Sequence, residues 1–266
     1  MLVLVIGDFH IPHRAIDLPA KFKSMLLPGK IQQILCTGNL LSKQTLDYLR
    51  TIASDVVCVK GDMDEIVVPY TNGNAGSVAT GQPPHSRVIQ YGPIRVGLLH
   101  GHQVIPWGSR KALGIAARQL NVDVLVSGHT HVLETFEQDG CFFINPGSAT
   151  GAFTLVNSVG AGLVGAPPKQ PAVSLKDEQT LAKQQLMGET VELVETKEPE
   201  VTDSATVAQP ETPQPLVERA SFVGTTPSFV LLDIQGDSMV IYIYKFINSE
   251  VKVEKMEFKK PISIST

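Results

Sequence analysis

Five times within the first 131 residues an apolar run ends beside a glycine and hands over to a side chain that can bind a metal. Leu2 to Ile6 runs into Gly7-Asp8-Phe9-His10, Ile31 to Cys36 into Thr37-Gly38-Asn39, and Val56 to Lys60 into Gly61-Asp62. Ile94 to His100 meets Gly101, and Val122 to Val126 meets Ser127-Gly128-His129-Thr130-His131. Short runs rich in β-branched residues read as interior strands, and none is long enough to cross a bilayer. The spacing predicts a short helix within Leu18–Leu27, ended by Pro28-Gly29. A second helix is expected from Lys43 to Ala53, with Ser42 as N-cap and Thr45, Leu46, Leu49 and Ile52 on its packed face. A third is expected over Ser109–Leu120. Strand, helix, strand, helix, strand implies a parallel sheet with covered faces, whose carboxyl-end edge is where ligands bind.

The candidate ligands Asp8, His10, Asn39, Asp62, His100, His129 and His131 all fall at that edge. Asp8 and His10 are two apart and would point to the same side of an extended segment. A hard carboxylate oxygen beside an imidazole nitrogen suits a first-row divalent ion. Singly, each residue has a plainer role: Asp8 or Asp62 as a cap, Asn39 as a turn residue, His100 as a hydrogen-bonded core histidine. All of them at strand ends, in one order, favours a metal centre.

Two hairpins are expected, Arg87–Tyr91 with Ile94–His100, and Val132–Glu137 with Cys141–Asn145 around the turn Asp139-Gly140. Asn72–Arg87, rich in Gly, Ser and Pro, reads as an exposed loop. Three further strands are expected at Ser228–Ile234, Ser238–Phe246 and Val251–Phe258. Between Leu155 and Thr226 the texture changes to small residues, prolines, acids and threonines, with no Phe, Tyr or Trp before Phe222. Such a segment buries too little surface to offset its ordering entropy, so residues 154–226 are expected to be a disordered insertion. Lys176–Glu195 is the stretch within it with some helical or partner-binding character. Residues 1–153 and 227–266 would then form one interrupted domain, because a long surface insertion costs little closure entropy.

With 266 residues the chain can bury a full core, and a net charge of −4 gives no electrostatic case for nucleic acid or a polybasic membrane anchor. Cys36, Cys58 and Cys141 are odd in number and widely spaced, which fits neither a disulfide framework nor a zinc-thiolate cluster and favours a reducing cytosol. The N-terminus lacks a basic region and a cleavage site, and Asp8 interrupts its apolar run, so no signal peptide is expected. These features together point to a soluble intracellular protein.

Asp8-x-His10, Gly38-Asn39, Gly61-Asp62, His100-Gly101 and Gly128-His129-x-His131 resemble the ordered motifs of the calcineurin-like metallophosphoesterases. The resemblance implies an α/β fold of the α/β/β/α kind, a β-sandwich flanked by helices, holding one or two divalent ions, zinc or manganese. It is closer to a branch whose members serve as small scaffold subunits of retromer. That likeness is carried by Leu2–Pro12, Cys36–Asn39, Gly61-Asp62 with Asp64-Glu65, His100–Gly108, Ser127–His131, Ile144–Gly151 and Pro227–Leu231. It spans residues 1–153 and 227–261; the Asn72–Arg87 loop is longer than the pattern, and the insertion is foreign to it. The branch implies a cytoplasmic protein that reaches endosomal membranes only through its complex and supports protein sorting there.

Val104-Ile105-Pro106-Trp107 resembles the segment that docks such subunits into the α-solenoid subunit of retromer; the alternative is a loop folded back on its own domain. Leu2, Met25, Leu231, Tyr242 and Tyr244 resemble a surface that takes Pro-Leu-type motifs of regulators, with core packing of Leu2 and Leu231 as the competing view. Active members of the family bridge two ions with an Asp where this chain has Asn39, and carry Gly-Asn-His where it has Gly61-Asp62-Met63. A neutral carbonyl bridges poorly, and a thioether neither donates a proton nor stabilises developing charge. The expectation is therefore a subunit with no catalytic residue or only weak catalysis; the alternative is an active divalent-metal-dependent phosphodiesterase.

Overall fold

The structure, a computed structural model, describes residues 1–65, 68–71, 78–154 and 225–260. Contacts divide the chain into two units, Met1–Val159 with Phe222–Thr266, and Gly160–Ser221; everything below lies in the first. The disorder expected for 154–226, and the segment Lys176–Glu195, fall almost wholly outside the described residues.

The opening apolar run forms β1 (Leu2–Ile6), and its alternation places two cores at once. Val3 and Val5 pack with Leu35, Val57, Val96, Val124 and Val126, whereas Leu4 and Ile6 pack with Phe22, Ile34, Leu46 and Leu49. Both pairs are fully buried, each side chain contributing about 1.5–3 kcal/mol. In chain order the remaining elements begin with α1 (Ala20–Met25), β2 (Gln33–Cys36), α2 (Lys43–Ile52), β3 (Asp55–Cys58), β4 (Val68–Thr71) and β5 (Val78–Gly81). They continue with β6 (Ser86–Tyr91), β7 (Ile94–Leu99), α3 (Arg110–Leu120), β8 (Val124–Val126), β9 (Leu133–Gln138) and β10 (Cys141–Pro146). The last three are β11 (Ser228–Gln235), β12 (Ser238–Ile247) and β13 (Glu250–Lys259).

The strands build a six-stranded sheet, β13-β12-β11-β1-β2-β3, and a five-stranded sheet, β6-β7-β8-β10-β9. The two sheets enclose the core that holds Val3 and Val5, α1 and α2 pack on the outer side of the first, and α3 covers the second through Leu113 and Ala117 on Leu125 and Phe143. The layer order is helix, sheet, sheet, helix. The parallel strands of the sequence pattern are real but divided: β1, β2 and β3 run parallel in one sheet, β7, β8 and β10 in the other. Their carboxyl ends open on one side of the sandwich.

α2 follows its pattern closely. The Ser42 hydroxyl accepts from the Thr45 N–H at 3.2 Å, and Thr45, Leu46, Leu49 and Ile52 are its buried residues. The turn at Asp139-Gly140 has φ of 54° and 73°, the left-handed pair that matches the twist of a two-residue hairpin. One expectation needs correction. Asn72–Arg87 is not wholly a loop: β5 pairs antiparallel with β4, and β6 already begins at Ser86. Its Gly, Ser and Pro content masked the β-compatible Val78-Ala79-Thr80, whose pairing is set by a partner strand and not by composition.

Candidate metal centre

Each expected ligand lies just beyond a strand end: Asp8 and His10 after β1, Asn39 after β2, Asp62 after β3, His100 after β7, His129 and His131 after β8. The fold brings all seven together. The His10 Nε2 lies 2.9 Å from the His131 Nε2, and the Asp8 Oδ1 lies 3.7 Å from the His131 Nε2 and 3.8 Å from the His100 Nδ1. The Asp62 Oδ1 lies 2.9 Å from the His100 Nε2 and 3.5 Å from the His129 Nδ1. Asp8, His10 and His131 bring one potential ligand atom each within 4.8 Å of the others, and so do Asp62, His100 and His102.

The route to this convergence differs from the expected one. Asp8 and His10 do not share a face of an extended strand; β1 has ended, and both have left-handed backbones, with φ of 49° and 50°. Asn39, His129 and His131 do as well, at 53°, 72° and 59°, so five of the seven candidates hold a conformation that costs free energy for an L-residue. Tertiary bonds hold them there. The Asp8 N–H donates to the Gly38 carbonyl at 3.0 Å and the His10 N–H to the Asn39 carbonyl at 3.1 Å, while Asp8 Oδ2 accepts from the His129 N–H at 2.9 Å. Chain segments approach too closely here for side chains: a Cβ on Gly128 would lie 2.6 Å from Asp8 Oδ2.

The donor set fits a divalent ion. His131 Nδ1 donates to the Ala152 carbonyl at 2.7 Å and His100 Nδ1 to the Thr37 carbonyl at 2.7 Å, which turns each Nε2 lone pair inward. The His131 Nε2 then faces the His10 Nε2, and the His100 Nε2 faces a carboxylate oxygen of Asp62, electron-rich pairs that need a shared cation or proton. His10 Nδ1 and His129 Nε2 are buried with no hydrogen-bond partner among the described residues. Burial, reinforced by His131 and Arg14, lowers the His10 imidazole to about 3. Burial also lowers His131 despite the nearby Asp8, so both rings are neutral and able to ligate. Burial opposes charge on His100, but Asp8 and Asp62 outweigh it and raise that ring. Burial alone would raise the Asp62 carboxyl, yet hydrogen bonds from His100, His129 and Asn39 hold it far below the usual carboxylate range.

Asn39 departs from the expectation that it offers a carbonyl oxygen inward. Its Oδ1 accepts from the Met63 N–H at 3.1 Å, so the Nδ2 faces the cluster, 2.9 Å from Asp62 Oδ1 and 3.1 Å from His100 Nε2. In this arrangement it donates, and ligation would require the amide to turn and release Met63.

Three contributors escaped sequence reasoning. Asp64 Oδ2 accepts from the N–H groups of Asn39 (2.7 Å) and Gly61 (2.9 Å), and its Oδ1 from that of Leu41 (3.1 Å), tying the loops after β2 and β3 together. His102, two residues beyond His100, joins the second ligand group. Ser148 donates to the Asp8 carbonyl at 2.7 Å, giving the Asn145-Pro146-Gly147-Ser148 turn a supporting part. The Asp64-Glu65, His100-Gly101-His102 and Ile144–Gly151 strings were visible signals, but none of them disclosed the hydrogen bond that Ser148 makes.

The apolar segment Val104–Trp107 stands beside the cluster. Val104 packs on the α3 core, as the folded-back alternative required, but Ile105 and Trp107 remain 75% and 50% exposed. The Trp107 Nε1 donates to the His102 carbonyl at 2.9 Å, and its ring meets the His129 ring edge-on at 4.7 Å. On the outer face of the first sheet, beyond the helices, Leu2, Leu231 and Tyr244 are half-buried against the core and Met25 is exposed. Leu231 pairs across the sheet with the half-buried Tyr242. Leu2 and Leu231 thus pack on the core, as the competing view held, while leaving a rim in solvent.

A calcineurin-like phosphoesterase superfamily domain profile matches residues 1–163. Vacuolar protein sorting-associated protein 29 of Schizosaccharomyces pombe is 36% identical over 261 residues, covering 98% of this chain and all of that protein. The chain belongs to the Vps29 family of calcineurin-like phosphoesterases. Solved family structures agree: Vps29 from Cryptosporidium parvum is 31% identical with a TM-score of 0.66, covering 97% of this chain and 98% of that one. Wild-type Vps29 from Entamoeba histolytica, complexed with Zn2+, is 37% identical with a TM-score of 0.63, covering 97% and 99%.

Proposed function

We propose that this protein is a small subunit of retromer, a non-catalytic or weakly catalytic metallophosphoesterase-fold scaffold that works in endosomal protein sorting. Family membership supports the assembly, and the observation that carries the scaffold reading is the exposed Ile105–Trp107 tip in ring contact with His129. A ligand-bearing cluster that also braces an apolar tip suits holding a surface in shape. The docking partner is the α-solenoid subunit of retromer, reached through Val104, Ile105 and Trp107. The second surface, of Leu2, Met25, Leu231, Tyr242 and Tyr244, suits Pro-Leu-type segments of regulators, since a tyrosine ring packs while its hydroxyl stays wet. The working unit is one domain, 1–153 with 227–266, interrupted by residues 154–226. It is cytoplasmic and meets endosomal membranes through the complex.

Asp8, His10 and His131 would hold one divalent ion, zinc or manganese; Asp62 and His100, with His129 and His102 beside them, would hold a second, joined by Asn39 if its amide turns. When bound, such an ion supplies Lewis-acid charge. The chain's own groups do little to turn that charge into catalysis. Met63 puts a thioether where a proton donor would be needed, and Asn39 offers N–H where a bridging anion would be needed. Ile105→Asp should leave the fold intact and abolish co-elution with the α-solenoid subunit; unchanged co-elution would contradict the docking surface. Brisk manganese-dependent turnover of a nitrophenyl phosphodiester, lost in Asp8→Ala, would overturn the scaffold reading in favour of a phosphodiesterase.

A further inference from the structure

Arg14 brings a permanent positive charge to the edge of a cluster suited to a cation, and no carboxylate among the described residues pairs with it. Its N–H donates to the His10 carbonyl at 2.8 Å, so it belongs to the turn that carries a ligand. The guanidinium is held at two points. Nη1 donates to the Phe153 carbonyl at 3.2 Å, Nη2 reaches the Met63 Sδ at 3.4 Å, and the group lies 5.2 Å from the Phe153 ring centre. Both anchors adjoin ligand supports: the Met63 N–H holds Asn39, and the Ala152 carbonyl, next to Phe153, holds His131.

A thioether is a weak acceptor, and the two anchors leave most of the five guanidinium donors free. A fixed cation beside a site for a dication is repulsive unless an anion lies between them. The planar fork matches tetrahedral oxyanions, and its charge favours a dianion over a monoanion. We propose that Arg14 is a specificity-determining residue that, together with an ion in the Asp8–His10–His131 group, receives the dianionic phosphate of a monoester in preference to a diester. This rests on the ion-binding reading above. It concerns binding and requires no turnover.

The test begins with zinc titration of the intact chain, then titrates phenyl phosphate and diphenyl phosphate into the zinc-loaded and zinc-free protein. The expected result is zinc-dependent binding of phenyl phosphate, about tenfold tighter than diphenyl phosphate. Arg14→Gln should erase that preference without weakening zinc uptake, since it removes a like charge. Arg14→Lys, which keeps the charge but not the fork, should fall between. Equal phenyl phosphate binding by wild type and Arg14→Gln, or binding that ignores zinc, would overturn the assignment while leaving the metal centre standing. Absence of zinc uptake by the wild type would sink the metal centre and the assignment together.

Discussion

The two halves of the ligand cluster are built differently. Asp8, His10 and His131 are buried, and each is fixed by a bond to a distant segment: Asp8 to the His129 N–H, His10 to the Asn39 carbonyl, His131 to the Ala152 carbonyl. The other half is open at one ligand: His100 and His129 are buried like the first three, but Asp62 is not. The Asp62 side chain is 36% exposed, His102 is half-buried, and Trp107 leans on His129 from the solvent side. A ligand set whose geometry is paid for in folding loses little freedom on binding, so the closed half is prepared for the tighter ion. The open half is the one a partner docking on Trp107 would cover.

Removing a carboxylate from each half breaks or sharpens that contrast. Asp8→Ala deletes the anion among buried neutral imidazoles and should cost at least about a hundredfold in zinc affinity by calorimetry. Asp62→Asn should cost about tenfold, because Asp62 is the solvent-facing ligand of its half and water can substitute for it. Equal losses in the two variants would erase the distinction. Asp64→Ala asks whether the halves are joined by one strut: it strands three backbone N–H groups and should destabilise the chain by about 3–5 kcal/mol in urea unfolding. A cost below about 1 kcal/mol would show that the loops do not depend on it.

Smaller effects follow from protonation. In chelator-treated protein His10, at about 3 when folded against 6.5 unfolded, contributes stability above pH 6.5 that is lost as pH falls toward 3, because the unfolded chain takes up the proton first. His131 is shifted in the same direction, and His100, raised by Asp8 and Asp62, in the opposite one. His10→Asn should therefore flatten the decline in unfolding free energy between pH 7.5 and 5 relative to wild type. An unchanged slope would contradict a buried neutral His10. The smallest effect on the fold is expected from Ile105→Asp, within about 0.5 kcal/mol in the same assay, because that side chain is already in solvent.

Much of the architecture was legible in local pattern. Ser42 and the helical spacing of Leu46, Leu49 and Ile52 carry α2 without help from elsewhere, and Asp139-Gly140 carries its hairpin. The seven candidate ligands were legible too, because each follows an apolar run that had to be a strand; His102, which joins them in the fold, was not. Its geometry was not. Left-handed Asp8, His10 and Asn39 exist only because carbonyls and N–H groups from other loops hold them, and such long-range bonds leave no periodic trace. The direction of the Asn39 amide was hidden for a similar reason, being decided by the Met63 N–H. β5 was missed because its strand character comes from β4.

The central claim is that separate strand ends make a closed seat for one ion. Anomalous diffraction from a crystal soaked in dilute zinc tests it directly. The strongest peak is expected among Asp8, His10 and His131, with a weaker one or none beside Asp62 and His100. A strongest peak on the Asp62 side, or no peak at the cluster, would contradict the account.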